Sequence, residues 1–236
     1  MCLQDVLPTE AWSAWERQHP DREFQLGYPE AGGCSNPDDL HGPMGARMKE
    51  KAVISWSGGK DSALALHEAQ KDFEIVALLT TVTEEYDRIS VHGVRTSLLE
   101  RQAHSLNCAL DKVFIPPTCS NDDYETKTRA GLDKYRRAGV LSVICGDIFL
   151  EDVRRYREKK LFTGGLKGVF PLWGTDTTEL ARQFIAQGFQ AILCCVDTNV
   201  INQEFSGRLY DHEMLRWTPT DKLKLEATVS SHVGDV

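Results

Sequence analysis

Apolar and polar positions along this chain fall into blocks of two alternating kinds. Residues 52–56, AVISW, form a short apolar run suited to a strand covered on both faces. Residues 63–70 then recur with helical spacing. The same alternation repeats: a strand over 74–82, a helix over 93–107 with Val94, Leu98, Leu99 and Ala103 on one side, a strand over 111–116 stopped by Pro116 and Pro117. A helix follows over 121–139, opened by Asn121 and acids and closed by Gly139, then a strand over 140–146. Helices are predicted over 151–162 and 177–187, and a fifth strand over 191–196. Strands and helices in this alternation predict an α/β fold, a mostly parallel sheet with helices on both faces. Such sheets bind ligands at the carboxyl ends of their strands, near the switch in strand order.

Residues 1–48 break the pattern. They are rich in Gly, Pro, Asn and Asp, lack a period, and are expected to be a flexible leader. The rest divides into an expected nucleotide-binding domain over 49–150, a smaller C-terminal substrate subdomain over 151–215, and a tail over 216–236.

Composition narrows the class without naming it. The 236 residues are 41% hydrophobic and 26% charged, ordinary for a soluble protein with a real core. A net charge of -8 argues against a surface that coats nucleic acid. The seven cysteines are scattered, with no Cys-x-x-Cys pair and an odd count, so reduced thiols are expected rather than a zinc site or a disulfide framework. No apolar run approaches a membrane span, the N-terminus lacks a signal-peptide pattern, and a cytoplasmic location is expected.

The chemistry concentrates in one turn. Ser57, Gly58, Gly59, Lys60, Asp61 and Ser62 lie directly between the first strand and the first helix. Glycines without Cβ atoms let backbone approach a ligand closely. Successive N–H groups and a helix N-terminus favour an anion, to which Lys60 adds charge and the serines add hydroxyls. The turn reads as a phosphate cradle. It matches neither the Walker A spacing nor the dinucleotide-binding glycine fingerprint.

The run Ser-Gly-Gly-Lys-Asp-Ser resembles the PP-loop of the ATP pyrophosphatases. "VALLTTVTEEYDRISVHGVR" (76–95), "CGDIFLEDVRRYREKKL" (145–161) and "VFPLWGTDTTELARQFIAQGFQAILCCVD" (169–197) extend the resemblance to the diphthine–ammonia ligase family, short bacterial-type branch, over roughly 51–215. The resemblance implies a Rossmann-like, adenine nucleotide alpha hydrolase-like fold. It implies cleavage of ATP to AMP and pyrophosphate, with adenylation of a carboxylate and amidation by ammonia. ATP and Mg²⁺ are the implied cofactors, with Lys60 and Asp61 catalytic and Asp61 the metal partner. The acceptor is left open between a small molecule and a protein, and a homodimer is compatible with the chain.

Other residues join the candidate site by position. Thr80 and Thr81 end the second strand, where the adenosine half should lie. Gly146 and Asp147 follow the fourth strand and are expected to bind nucleotide. Asp87, His92 and Arg95 sit in a polar loop, and Glu151, Arg154 and Arg157 recur at helical spacing; His92, Arg95 and these three are the expected substrate contacts. Trp173 is expected to pack rather than react. One departure stands out: the family's late Gly-Glu-x-Gly-Glu-aromatic segment has no equivalent after "FSGRLYDHEML" (205–215), so either the chain is truncated or altered at its end or its second half-reaction differs, with the ATP site expected to be unaffected. Two rival readings remain at this stage, an RNA-modifying PP-loop enzyme and an ATP-binding protein without turnover.

Overall fold

The computed structural model describes residues 49–90, 93–193, 196 and 202–217, with the backbone of 231–232. The expected leader, His92 and most of the expected tail lie outside the described residues. The described chain forms two compact units, one of residues 49–57 and 61–174, the other of 58–60 and residues from 175 onward.

The first unit is built on a six-stranded sheet. Its strands are β1 (Glu50–Ser55), β2 (Phe73–Thr83), β3 (Arg88–Ile89), β4 (Leu110–Ile115), β5 (Ser142–Ile144) and β6 (Lys167–Val169). β1 pairs in parallel with β2 and β5, β2 with β4, and β5 with β6. Leu78 and Leu79 pair with Ile54 and Ser55 of β1 and also with Leu110 and Asp111 of β4, so β1 and β4 flank β2 on opposite edges. The parallel order is therefore β4-β2-β1-β5-β6. Only β3 is antiparallel, running along the β1 side of β2 through Val82↔Ile89 and Thr83↔Arg88.

Helices fill the crossovers: α1 (Lys60–Ala69), α2 (Thr96–Ser105), α3 (Asn121–Arg137) and α4 (Glu151–Thr163). The chain winds outward from β1 to β4 and then returns to wind the other way through β5 and β6. Right-handed crossovers thus place α1 and α2 on one face, and α3 and α4 on the other. Packing agrees. Leu132 of α3 and Leu161 of α4 share a core with Val53, Leu79, Val143 and Cys145. On the opposite face, the Trp56 indole donates to Gln102 Oε1 of α2 at 3.2 Å. Ala52, Val53 and Ile54 are all 0% exposed, which explains why the first strand reads as an apolar run instead of an alternation.

Two differences from the sequence-based expectation have physical causes. The fifth parallel strand is β6, three residues with a central glycine, too short to leave a periodic signal. Among its described residues, the run expected as that strand contributes β7 (Ile192–Leu193), which pairs antiparallel with β8 (Ser231–His232) in a separate two-stranded sheet. Apolar content marks burial and does not say which partner supplies it. Against the expectation of reduced thiols throughout, Cys108 is disulfide-bonded, while Cys119 and Cys145 are free.

The second unit carries its own aromatic core. In α5 (Thr177–Ala186), capped by Asp176 accepting from Thr178 and Glu179 N–H at 3.0 Å, Phe184 stacks on Phe189 and meets Tyr210 edge-on. α6 spans His212–Trp217. No described helix is long and apolar enough to cross a membrane.

Candidate nucleotide and acceptor site

The switch in strand order falls between β1 and β5, where neighbouring strands send their chains in opposite directions. Open α/β sheets bind ligands in the crevice at that point. The loop over 57–62 leaves β1 there and enters α1 at Lys60. Gly58 adopts φ 74, a left-handed conformation that glycine accepts without strain. Ser57 Oγ donates to Ser62 Oγ at 3.1 Å, tying the two ends of the loop together. Lys60 is 5% exposed, so its ammonium stem is held by packing. The first N–H groups of a helix have no partner within the helix, and here they begin at the loop.

The loop after β5 closes on the same place. A Cβ on Gly146 would stand 2.9 Å from the Asp61 carbonyl oxygen and 3.1 Å from the Ser62 nitrogen. These neighbours are backbone and cannot swing aside, so position 146 requires glycine for close approach. Asp147, next along, ion-pairs with Arg157 of α4 at 3.2 Å. Neither Asp147 Oδ2 nor Arg157 Nε makes a hydrogen bond within that pair. Gly174 N–H donates to Ile148 O at 2.8 Å, so the Gly-Asp-Ile and Pro-Leu-Trp-Gly segments meet at one edge of the sheet.

Of the remaining candidates, Thr80, Thr81 and Arg157 line one cavity with Ser57, and the others lie outside it. Thr80 is buried, and Thr81 shares a hydroxyl hydrogen bond with Ser90 at 2.6 Å. Asp87 has φ 48, and its carbonyl accepts from Thr96 N–H, folding the polar loop back on itself. Arg95 is exposed at the start of α2. The three α4 candidates do not converge. Glu151 pairs with Arg155, Arg157 with Asp147, and Arg154 with Glu158 at 2.7 Å. The Arg154 guanidinium also lies over the rings of Phe170 and Trp173, at 5.0 and 4.6 Å. Helical spacing of three residues turns each side chain by about 60° from the last, and over two steps that separates their partners. Trp173 packs, as its sequence context suggests, edge-on to Phe170.

Sequence reasoning did not point to a cavity in this unit. Between α3 and α4, above the sheet, lies a cavity of about 290 Å³. Its floor is Leu79, Val143, Cys145 and Leu166, and Ser55, Ser57 and Thr81 line its end at the strand termini. α3 contributes Tyr124, Glu125, Thr128 and Arg129; α4 contributes Val153, Tyr156, Arg157 and Lys160. Glu125 accepts from Tyr156 OH at 2.7 Å and from Lys160, a clasp between the two helices. These bonds, with Lys160 first, hold the Glu125 carboxyl below the usual range. Burial pushes the Cys145 thiol up to about 11, so it is protonated at neutral pH despite Arg157 beside it. The signal in the sequence is faint: positions 124, 128 and 132 of α3 and 153, 157 and 161 of α4 keep an inward stripe, with Thr and Arg at places where a filled core takes Leu.

The described residues hold no cluster of three or more metal-ligating side chains. Asp61, in the first turn of α1, is the carboxylate at the cradle.

The family model for the diphthamide synthase N-terminal domain matches residues 49–168, the span that holds the parallel strands, the loop and the cavity. The fold and site define a PP-loop nucleotide-binding domain of the Rossmann-like kind. More closely, the chain belongs to the diphthamide synthase N-terminal domain family. No curated protein matches the chain. A solved structure, the predicted subunit of tRNA methyltransferase from Methanocaldococcus jannaschii, is similar at 14% identity and a TM-score of 0.39, covering 77% of this chain and 95% of that one.

Proposed function

We propose that the chain is an ATP-dependent, AMP- and pyrophosphate-forming ligase that adenylates a carboxylate and passes the acyl group to ammonia. The observation that carries this reading is the glycine loop at the strand-order switch, closed against by Gly146. In the first step a carboxylate oxygen attacks the α-phosphorus of ATP. The bond to the bridging oxygen of the β-phosphate breaks, and pyrophosphate leaves with that electron pair. In the second, ammonia attacks the acyl carbonyl, AMP departs, and one proton is released. Loop amides and Lys60 stabilise the negative charge that builds on the departing pyrophosphate. Ser57 and Ser62 hold the loop in shape. Bound Mg²⁺, partnered by Asp61, would neutralise phosphate charge.

The protonated Cys145 counts against the RNA-thiolation reading, because the thiolate is the reactive form. The test is release of AMP and pyrophosphate from Mg-ATP, with and without ammonium and a panel of carboxylic acids. Acid-dependent AMP and pyrophosphate are expected. ATP binding with no cleavage under any acid would replace this reading with a nucleotide-binding protein that does not turn over.

A further inference from the structure

We infer that the cavity between α3 and α4 is the acceptor site, and that it takes a small carboxylic acid with an apolar body. This assignment rests on the adenylation reading for its chemistry but not for its binding. Three observations support it. First, α3 has seventeen residues and only Leu132 buried, and α4 has thirteen and only Leu161 buried. Two helices on one sheet face normally close over it, and here they leave about 290 Å³ open. Second, the walls carry a surplus of positive charge. Arg129, Arg157 and Lys160 face Glu125 and Asp133. Lys160 is engaged by Glu125 and Arg157 by Asp147, while Arg129 has no ion-pair partner among the described residues. A neutral base needs no such charge, whereas a carboxylate does. Third, the rest of the lining is apolar or aromatic, and Thr128 Oγ1 is buried in it without a hydrogen-bond partner. Ser57 belongs to both the cavity and the loop, so an acid seated here has its reactive end beside the phosphate cradle.

The experiment uses the whole chain, without nucleotide, and measures binding of phenylacetate and hexanoate against phenylacetamide and hexanamide by calorimetry and saturation-transfer NMR. The acids should bind at least about tenfold more tightly than the neutral amides, the scale of one hydrogen bond to a charged group. Thr128→Trp, which fills the slot, should remove acid binding and leave Mg-ATP affinity in place. Arg157→Gln should weaken the acids by roughly tenfold or more. If Thr128→Trp does not fold, as judged by circular dichroism, Arg157→Gln and the exposed-site change Arg129→Glu carry the test together. Equal binding of acids and amides overturns the assignment, and so does loss of ATP binding together with acid binding, which would make the slot the nucleoside pocket. Acid binding in the slot with no AMP release upholds the assignment and removes the adenylation reading alone.

Discussion

The loop over 57–62 and the slot between α3 and α4 are two sites of opposite construction. The loop is local: six consecutive residues supply its glycines, its lysine and its hydroxyls, and one strand and one helix present them. The slot is assembled from segments more than a hundred residues apart, Ser55 to Leu166, that only the winding of the sheet brings together. A local site is robust to changes elsewhere and sensitive to changes within. An assembled one depends on partners that hold its walls. Glu125 with Tyr156 and Lys160, and Asp147 with Arg157, are those partners here.

The largest expected effect sharpens the local side. Lys60→Ala should lower pyrophosphate release by about 10²–10³-fold, the scale of losing one donor to developing charge, and Asp61→Ala should be of similar severity. Rates of AMP formation under saturating ATP check both, and unchanged turnover in either would break the contrast. Next comes the junction between the sites. Gly146→Ala should push its methyl into the Asp61 carbonyl and cost about 1–3 kcal/mol of stability, with weakened ATP binding. Urea unfolding and nucleotide titration read the two effects separately.

A third measurement concerns the slot's floor. The folded Cys145 thiol is raised from 9.0 to about 11. Its contribution is therefore fully present below pH 9.0 and lost as pH climbs through about 11. At 1.36 kcal/mol per unit this is on the order of 2–3 kcal/mol. Wild type should lose more stability than Cys145→Ala between those limits, and parallel curves would contradict the buried thiol. The smallest effect separates two arginines on one helix. Arg154→Ala should cost about 1–2 kcal/mol through its two ring contacts and leave acid affinity unchanged, whereas Arg157→Gln should lower acid affinity as well as stability, because it leaves Asp147 without its ion-pair partner. Thermal melts beside acid titrations would show whether that division holds.

How much of this was legible in the sequence follows from the same contrast. The loop was readable because adjacency in the chain is adjacency in space. So were the helices and the long strands, whose periods are strong. β6 was not, because three residues with a central glycine carry no period. Arg154, Arg157 and Glu151 could be named together but not told apart, because helical spacing gives direction and says nothing of what stands there. The Phe170–Trp173 pair that takes Arg154, and the Asp147 carboxylate that takes Arg157, arrive from other elements. Tyr124, Glu125, Thr128 and Arg129 passed as an ordinary polar helix. Only the gap beneath them gives them meaning.

The central claim is that this loop supports transfer of AMP to a carboxylate. ATP–pyrophosphate exchange tests it most directly, since it reports the first step whether or not ammonia completes the second. The account predicts exchange of labelled pyrophosphate into ATP that requires Mg²⁺ and a carboxylic acid, and that disappears in Lys60→Ala. Tight ATP binding without exchange for any acid, or release of ADP and phosphate in its place, would contradict it.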